Sequence, residues 1–334
     1  MGGRDAGMKA FVTGATGFIG GRVAQKLRDR GDQVVALVRN PAKADVLRAA
    51  GDELVIGDLS DRDAIATGVG GCDAVFHVAA DYRVGIRANE RTLMYRANVV
   101  GTENVLDAAI EAGVARVVYV STIGYFGNTR REVIDETYER TDLDWLSAYD
   151  ETKYLAHEVA KDRIQNGAPI VIAQPGGVYG PGDQSDVAML IDRVRRGKLP
   201  FLPMGDTGFN FLHVDDAADG IIFAHDKGRV GESYVLGGEI TTLQGFVETL
   251  CEVTGNRPPR HLPTVLVKAS APFGPLVGPL FGLAPNLKEM IKAGDGVTYW
   301  ASDGKARNEL GYSPRDLATG LGQTVSELPL TDKR

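Results

Sequence analysis

From Lys9 onward, short β-branched apolar runs alternate with longer stretches in which apolar residues recur every three to four positions. The short runs at 9–13, 33–38, 53–56, 74–78, 116–121 and 170–173 predict strands. They contain almost no polar interruption, the pattern of strands covered on both faces. Residues 21–30, 98–112 and 148–166 have helical spacing, and Gly31 and Gly113 stand where a left-handed residue ends a helix. Strand followed by helix, repeated along the first half, predicts parallel βαβ units and an α/β, doubly wound sheet. Beyond Gly180 the pattern loosens into Pro- and Gly-rich loops and short helices, which predicts a smaller C-terminal lobe. The runs 211–216 and 233–236 are expected to return to the main sheet. The chain is therefore divided into a sheet unit of 8–178 plus 211–237, a lobe of 179–210 plus 238–330, and a tail of 1–7.

The first predicted strand runs directly into Thr13-Gly14-Ala15-Thr16-Gly17-Phe18-Ile19-Gly20. Glycines at this spacing allow a tight turn, backbone approach to a pyrophosphate and close packing of helix on strand. Phosphate is then met by the positive end of the helix. At the end of the second strand a carboxylate would hold ribose hydroxyls, but the sequence there is Leu37-Val38-Arg39-Asn40. Arg39 is a planar donor fork suited to a 2′-phosphate, so NADP(H) is expected over NAD(H). Asp58, in Gly57-Asp58-Leu59 after the third strand, is either an adenine contact or a helix N-cap or turn acid. Ala79 and Ala80 are small enough to let a cofactor lie against the backbone after the fourth strand.

Tyr149 and Lys153 are four residues apart on a predicted helix and share a face. A Tyr-x-x-x-Lys pair is common by chance, and position gives this one its weight. It follows the fifth strand, whose carboxyl end carries Thr122. Hydride transfer to a carbonyl leaves negative charge on oxygen, which must be hydrogen-bonded and protonated. A phenol near its ordinary pKa of about 10 is a poor shuttle at neutral pH. A neighbouring ammonium is expected to lower it. Lys153 is read in that role and as a cofactor ribose contact, and Thr122 as the group that fixes the substrate oxygen. Asn98 is read either as a helix N-cap or as support for a water or cofactor amide.

Composition narrows the classes further. The 334 residues carry a formal charge of −7 with Lys and Arg scattered, which argues against nucleic acid as a partner. Cys72 and Cys251 are isolated and the five histidines lack ligand spacing, so neither a disulfide nor a metal is expected. A reducing, cytoplasmic setting fits. Residues 1–7 have no apolar signal core, and Met8 is an alternative start. The apolar stretch 262–285 is interrupted by Pro263, Pro272, Pro275, Pro279 and Lys268, which argues against a membrane-spanning helix.

The motifs TGATGFIG (13–20), GDLSD (57–61), HVAADYR (77–83), NVVGTENVL (98–106), YDETK (149–153), VYGPGD (178–183), FLHVDD (211–216) and SDGKARNELGYSP (302–314) span nearly the whole chain. Together they resemble the extended short-chain dehydrogenase/reductase family, also described as NAD-dependent epimerase/dehydratases, and most closely its dihydroflavonol-4-reductase-like group. The resemblance implies a Rossmann fold with a Ser/Thr–Tyr–Lys triad at Thr122, Tyr149 and Lys153. It further implies nicotinamide contacts at Pro175, Gly176 and Val178, and a homodimer through a four-helix interface. Sugar-nucleotide members usually carry an Arg where this chain has Phe209 and an Asn where it has Gly177. Loss of both polar anchors disfavours a nucleoside diphosphate. Phe201, Leu202, Met204, Phe209 and the 262–283 stretch either wall an apolar pocket or pack in a core.

The leading expectation is an NADP(H)-dependent reductase of a ketone or aldehyde on an apolar or aromatic small molecule. A sugar epimerase or dehydratase that retains its cofactor is the runner-up. A non-catalytic nicotinamide sensor is a third reading, disfavoured by the intact YDETK segment and Thr122.

Overall fold

A parallel strand in the middle of a sheet buries side chains on both faces, and β1 (Lys9–Thr13) shows how the sequence meets that demand. Ala10 and Val12 enter one core with Val23 and Leu27 of α1 (Phe18–Asp29). Phe11 points to the opposite face, into a second core with Ile65, Val105, Leu106, Ala156 and Ala160. The computed structural model describes residues 7–262, 265, 268 and 286–328. Its main sheet has seven strands in the order β10-β6-β5-β4-β1-β2-β3. The strands are β2 (Gln33–Val38), β3 (Glu53–Ile56), β4 (Ala74–His77), β5 (Arg116–Val120), β6 (Ile170–Pro175) and β10 (Ser233–Leu236) around β1. Every pairing in it is parallel. The chain winds outward through β2 and β3 on one side of β1 and through β4, β5 and β6 on the other. The order therefore reverses between β1 and β4, and a crevice opens beyond their carboxyl ends.

The structure corrects three expectations. Residues 211–213 do not return to the main sheet: they belong to β9 (Gly208–His213), the centre of a separate sheet ordered β11-β9-β7. The Asn210 side chain secures β9 there, donating to the Ala301 carbonyl at 2.6 Å and accepting from its N–H at 3.1 Å. Residues 214–216 are helical instead, because His213 caps α8 (Val214–Lys227) and Asp215 and Asp216 favour its positive end. The third correction concerns Asn98. It lies within a π-turn (Arg96–Val100) between α4 (Arg91–Tyr95) and α5 (Gly101–Glu111), so it does not begin a helix. The short helices α2 (Asp45–Ala49) and α3 (Arg62–Val69) had no clear periodic signal.

Beside the main sheet, β7 (Gly177–Tyr179) and β11 (Glu239–Thr242) flank β9 over a core of Tyr179, Leu202, Phe211, Phe246, Leu250 and Leu321. Helix Gly304–Leu310 places Ala306 and Leu310, and the following Tyr312, against α8 in the first core. No helix among the described residues is long and apolar enough to cross a membrane. Most of the 262–285 stretch lies outside the described residues.

Candidate active site

The glycine loop lies at the crevice, and its geometry requires glycine. Gly14 has φ +77°, and a Cβ there would stand 2.9 Å from the Ala79 backbone nitrogen. A Cβ on Gly20 would stand 2.3 Å from the Gly14 carbonyl oxygen. The turn closes through Gly17 N–H to Gly14 O at 2.8 Å. Gly17 caps α1 with no side-chain hydrogen bond, and the first turn holds no acidic residue. The positive end of α1 is thus left for an outside anion. Thr16 and Gly17 are exposed there, with Phe18 and Ile19 half-buried behind them. A cradle that a Cβ would fill, over an uncapped helix end, fits a dinucleotide pyrophosphate.

At the far side of β1, Arg39 is exposed and makes no hydrogen bond or ion pair among the described residues. Asp58 forms a turn: its Oδ1 accepts from Ser60 N–H at 2.8 Å and Ser60 Oγ–H at 2.6 Å. These bonds first, and the Arg39 charge further down, hold its carboxyl below the usual range. Asp58 is thus a turn acid, held where the loop after β3 opens toward the crevice. Leu59 packs against Gly101, where a Cβ would come within 2.7 Å of the Leu59 Cβ. Ala79 lies under Gly14, and Ala80 follows it into the crevice.

Helix α6 (Ala148–Gln165) brings Tyr149 and Lys153 to the same crevice. Lys153 is 3% exposed, and its Nζ donates to Val120 O at 3.0 Å and to the Tyr119 hydroxyl at 3.3 Å. Burial pushes its amine down to about 7. The Tyr149 ring packs beside Ile86 and Met94, and the Thr122 side chain is near enough to act on its phenol. Thr122 is held by its own turn, accepting from Gly124 N–H at 3.1 Å. Burial, and then the neighbouring phenols of Tyr82 and Tyr119, raise the Tyr149 phenol well above its ordinary value. The expected lowering by Lys153 is not found, because the amine turns toward β5. A phenol raised in this way is fully protonated at neutral pH, the form that can donate a proton.

Sequence reasoning missed the groups that fix this helix end. Asp150, next to Tyr149, forms a bidentate pair with Arg140 at 2.7 and 2.9 Å, and both side chains are buried. The Arg140 guanidinium lies 4.9 Å from the Trp145 ring centroid. Ser147 caps the helix through Asp150 N–H at 3.0 Å, and Glu289 accepts from Ala148 N–H at 2.8 Å. Asn98 clamps the loop after β4: its Oδ1 accepts from Asp81 N–H at 2.7 Å, and its Nδ2 donates to Asp81 O and Thr152 Oγ1, both at 3.0 Å. That loop sets the exposed Tyr82 ring edge-on over Tyr149, with centroids 4.7 Å apart.

Pro175 ends β6 and Gly176 links the two sheets, its N–H donating to Leu236 O at 3.1 Å. A Cβ on Gly176 would lie 2.3 Å from Asn210 O, and Val178 follows on β7. A Cβ on Gly177 would lie 3.7 Å from that of Phe209, whose ring stacks on Tyr299 at 5.4 Å. The two departures from the sugar-nucleotide pattern are thus neighbours in space. Leu202 and Met204 are buried, Leu202 in the lobe core, while Phe201 is exposed on β8 (Phe201–Pro203). Cys72 and Cys251 are free and buried, and no metal-binding cluster occurs among the described residues.

Comparison with known proteins agrees with this geometry. Residues 10–237 match the model of the NAD dependent epimerase/dehydratase family. The chain is 35% identical over 335 residues to a putative dihydroflavonol 4-reductase of Synechocystis, covering 94% of this chain and 93% of that protein. It is 31% identical over 315 residues to the 4-hydroxy-2-methyl-3-oxo-4-farnesyl-3,4-dihydroquinoline-1-oxide ketoreductase of Stigmatella aurantiaca, covering 92% of each. Among solved structures, a double mutant of the dTDP-glucose 4,6-dehydratase DesIV from Streptomyces venezuelae, with NAD and DAU bound, superimposes with a TM-score of 0.77. That match has 26% identity and covers 96% of both chains.

Proposed function

Because this chain belongs to the NAD-dependent epimerase/dehydratase family of extended short-chain dehydrogenase/reductases, and so is an NAD(P)-dependent oxidoreductase, we propose that it reduces a ketone or aldehyde on an apolar or aromatic small molecule with NADPH. The observation that carries this reading is the packing of Phe209 beside Gly177. The positions at which sugar-nucleotide relatives place polar anchors hold an aromatic ring and no side chain. Although Tyr82 as a whole is exposed, desolvation at its hydroxyl, and then the charges of Asp186 and Asp183, raise its phenol to about 12. Carboxylates at that point oppose a diphosphate and leave a neutral substrate unaffected. Tyr82, Tyr299 and Phe209 supply flat apolar walls.

The loop from Gly14 to Gly20 would hold the pyrophosphate, Arg39 the 2′-phosphate, and Asp58, Leu59, Ala79 and Ala80 the adenosine side. Lys153, Pro175, Gly176 and Val178 would line the nicotinamide end. When bound, the cofactor supplies hydride. Tyr149 donates the proton to the substrate oxygen, Thr122 holds that oxygen in line, and Lys153 returns positive charge toward the phenolate that forms. Half-exposed Leu155 and Val159 on α6, with exposed Ile110 on α5, support a homodimer through these two helices. Two buried free thiols suit the reducing cytoplasm.

The test follows NADPH absorbance with a panel of aryl ketones, aldehydes and UDP-sugars. Oxidation with carbonyls alone is expected. Likeness to the dehydratase favours a second reading, an epimerase or dehydratase with retained cofactor. Conversion of sugar nucleotides without net NADPH loss would establish it. Arg39→Ala is expected to raise KM for NADPH about tenfold to a hundredfold, the worth of a lost hydrogen bond to a charged group. KM for NADH should stay unchanged, and a wild-type preference for NADH would overturn the 2′-phosphate role.

A further inference from the structure

Lys153 rests on a buried tyrosine for which proton donation to the substrate has no use. Tyr119 is 1% exposed on β5, its hydroxyl receives the Lys153 Nζ at 3.3 Å, and the Thr102 and Ser121 side chains are near enough to act on its phenol. The Lys153 Nζ also stands 5.0 Å from the Tyr119 ring centroid. A phenol buried this deeply is costly unless its hydroxyl is paired, and here the partner Lys153 is itself buried.

Counting hydrogens gives this string a direction. Thr102 commits its single hydroxyl hydrogen to Asn98 O at 2.7 Å, so toward His77 Nε2, 3.0 Å away, it can only accept. His77 therefore carries its proton on Nε2 and accepts the Thr13 hydroxyl at Nδ1, 2.8 Å away. The Thr13 oxygen accepts in turn from Val78 and Ala79 N–H, both at 3.1 Å. Thr13 is the last residue of β1, directly before the glycine loop. The Lys153 ammonium can only donate, so the Tyr119 oxygen next to this string offers it a lone pair.

We propose that Tyr119 is the positioning residue of Lys153: its hydroxyl, buried on β5 next to the Thr102–His77–Thr13 string that ends at the glycine loop, holds the amine against β5 on the first turns of α6 that carry Tyr149. The proposal rests on the functional reading above for what the amine does, and on geometry alone for what holds it. The titratable groups around Lys153 are His77 from β4, Tyr119 from β5, and Tyr149 and His157 from α6. Burial keeps both histidines neutral, pushing His77 down to about 3 and His157 well below its usual value. No carboxylate contributes to the position of the Lys153 equilibrium. Loss of the Tyr119 oxygen therefore removes one of two acceptors of the ammonium form and leaves the Val120 carbonyl.

The experiment is an NMR titration of protein labelled at the lysine ε-carbon, comparing wild type with Tyr119→Phe. In the wild type one lysine should titrate near 7, well below the ordinary range. In Y119F its midpoint should fall by about one pH unit, the scale of a hydrogen bond to a charged group. The alkaline loss of kcat/KM for NADPH should move by the same amount, while kcat at pH 6 changes little. A folded Y119F with an unmoved midpoint overturns the proposal. Should Y119F fail to fold, Tyr119→Met takes its place, removing the same oxygen with a side chain that can still fill the site. A fall of the midpoint supports the proposal, and an unmoved one overturns it. The titration needs no turnover, so a shifted midpoint in a chain that reduces no carbonyl would count against the functional reading alone.

Discussion

Tyr149→Phe is expected to lower kcat by about two to four orders of magnitude, the usual contribution of a positioned proton donor. The change removes one oxygen and keeps the ring that packs beside Ile86 and Met94 and under the edge of Tyr82. Folding and NADPH affinity should therefore be preserved, the latter within about twofold by fluorescence titration. The burial that raises the phenol also sets the direction of the pH effect. Tyr149 remains a protonated donor throughout the neutral range, so the alkaline fall in activity should reflect Lys153, whose amine loses its charge above about 7. Retention of even a tenth of wild-type turnover by Y149F would remove this residue from the chemistry.

The second large effect concerns stability. Arg140→Ala should destabilise the protein by about 3–5 kcal/mol in urea unfolding, because it leaves the Asp150 carboxylate buried without its partner. Both side chains are almost inaccessible, at 4% and 6% exposed, so solvent cannot substitute. Asp150 is adjacent to Tyr149 in the first turn of α6, and a weakened anchor should also reduce kcat in whatever protein remains folded. Replacing both members with apolar residues of similar shape should recover much of the loss, since the pair bears its own desolvation cost. A single variant within about 1 kcal/mol of wild type would show that water reaches the carboxylate after all.

How legible each feature was in the sequence follows from the distance over which it is determined. The strands of the main sheet and the glycine loop are written in adjacent residues, and their boundaries fell within a residue or two for β1 to β5. The Tyr149 and Lys153 pair was legible for the same reason, since helical spacing alone puts both on one face. Arg140 and Glu289 could not be found this way. Glu289 reaches Ala148 across 141 positions, and nothing local marks either as an anchor. The sheet that β9 joins was misread because its apolar run suits either sheet, and the choice rests on Asn210 meeting Ala301. The direction of the Tyr149 shift was missed because burial depth and the turn of the lysine toward Val120 are tertiary properties.

The π-turn at Arg96–Val100 constrains how this chain can change over evolutionary time. One residue more or fewer rotates everything on one side of it by about 100° relative to the other. Upstream lies Met94 against Tyr149, within it the grip of Asn98 on the loop of Tyr82, and downstream Gly101 against Leu59 and Thr102 against His77. Descendants of this sequence can exchange side chains along that segment, but insertion or deletion there would pull the two halves of the crevice out of phase.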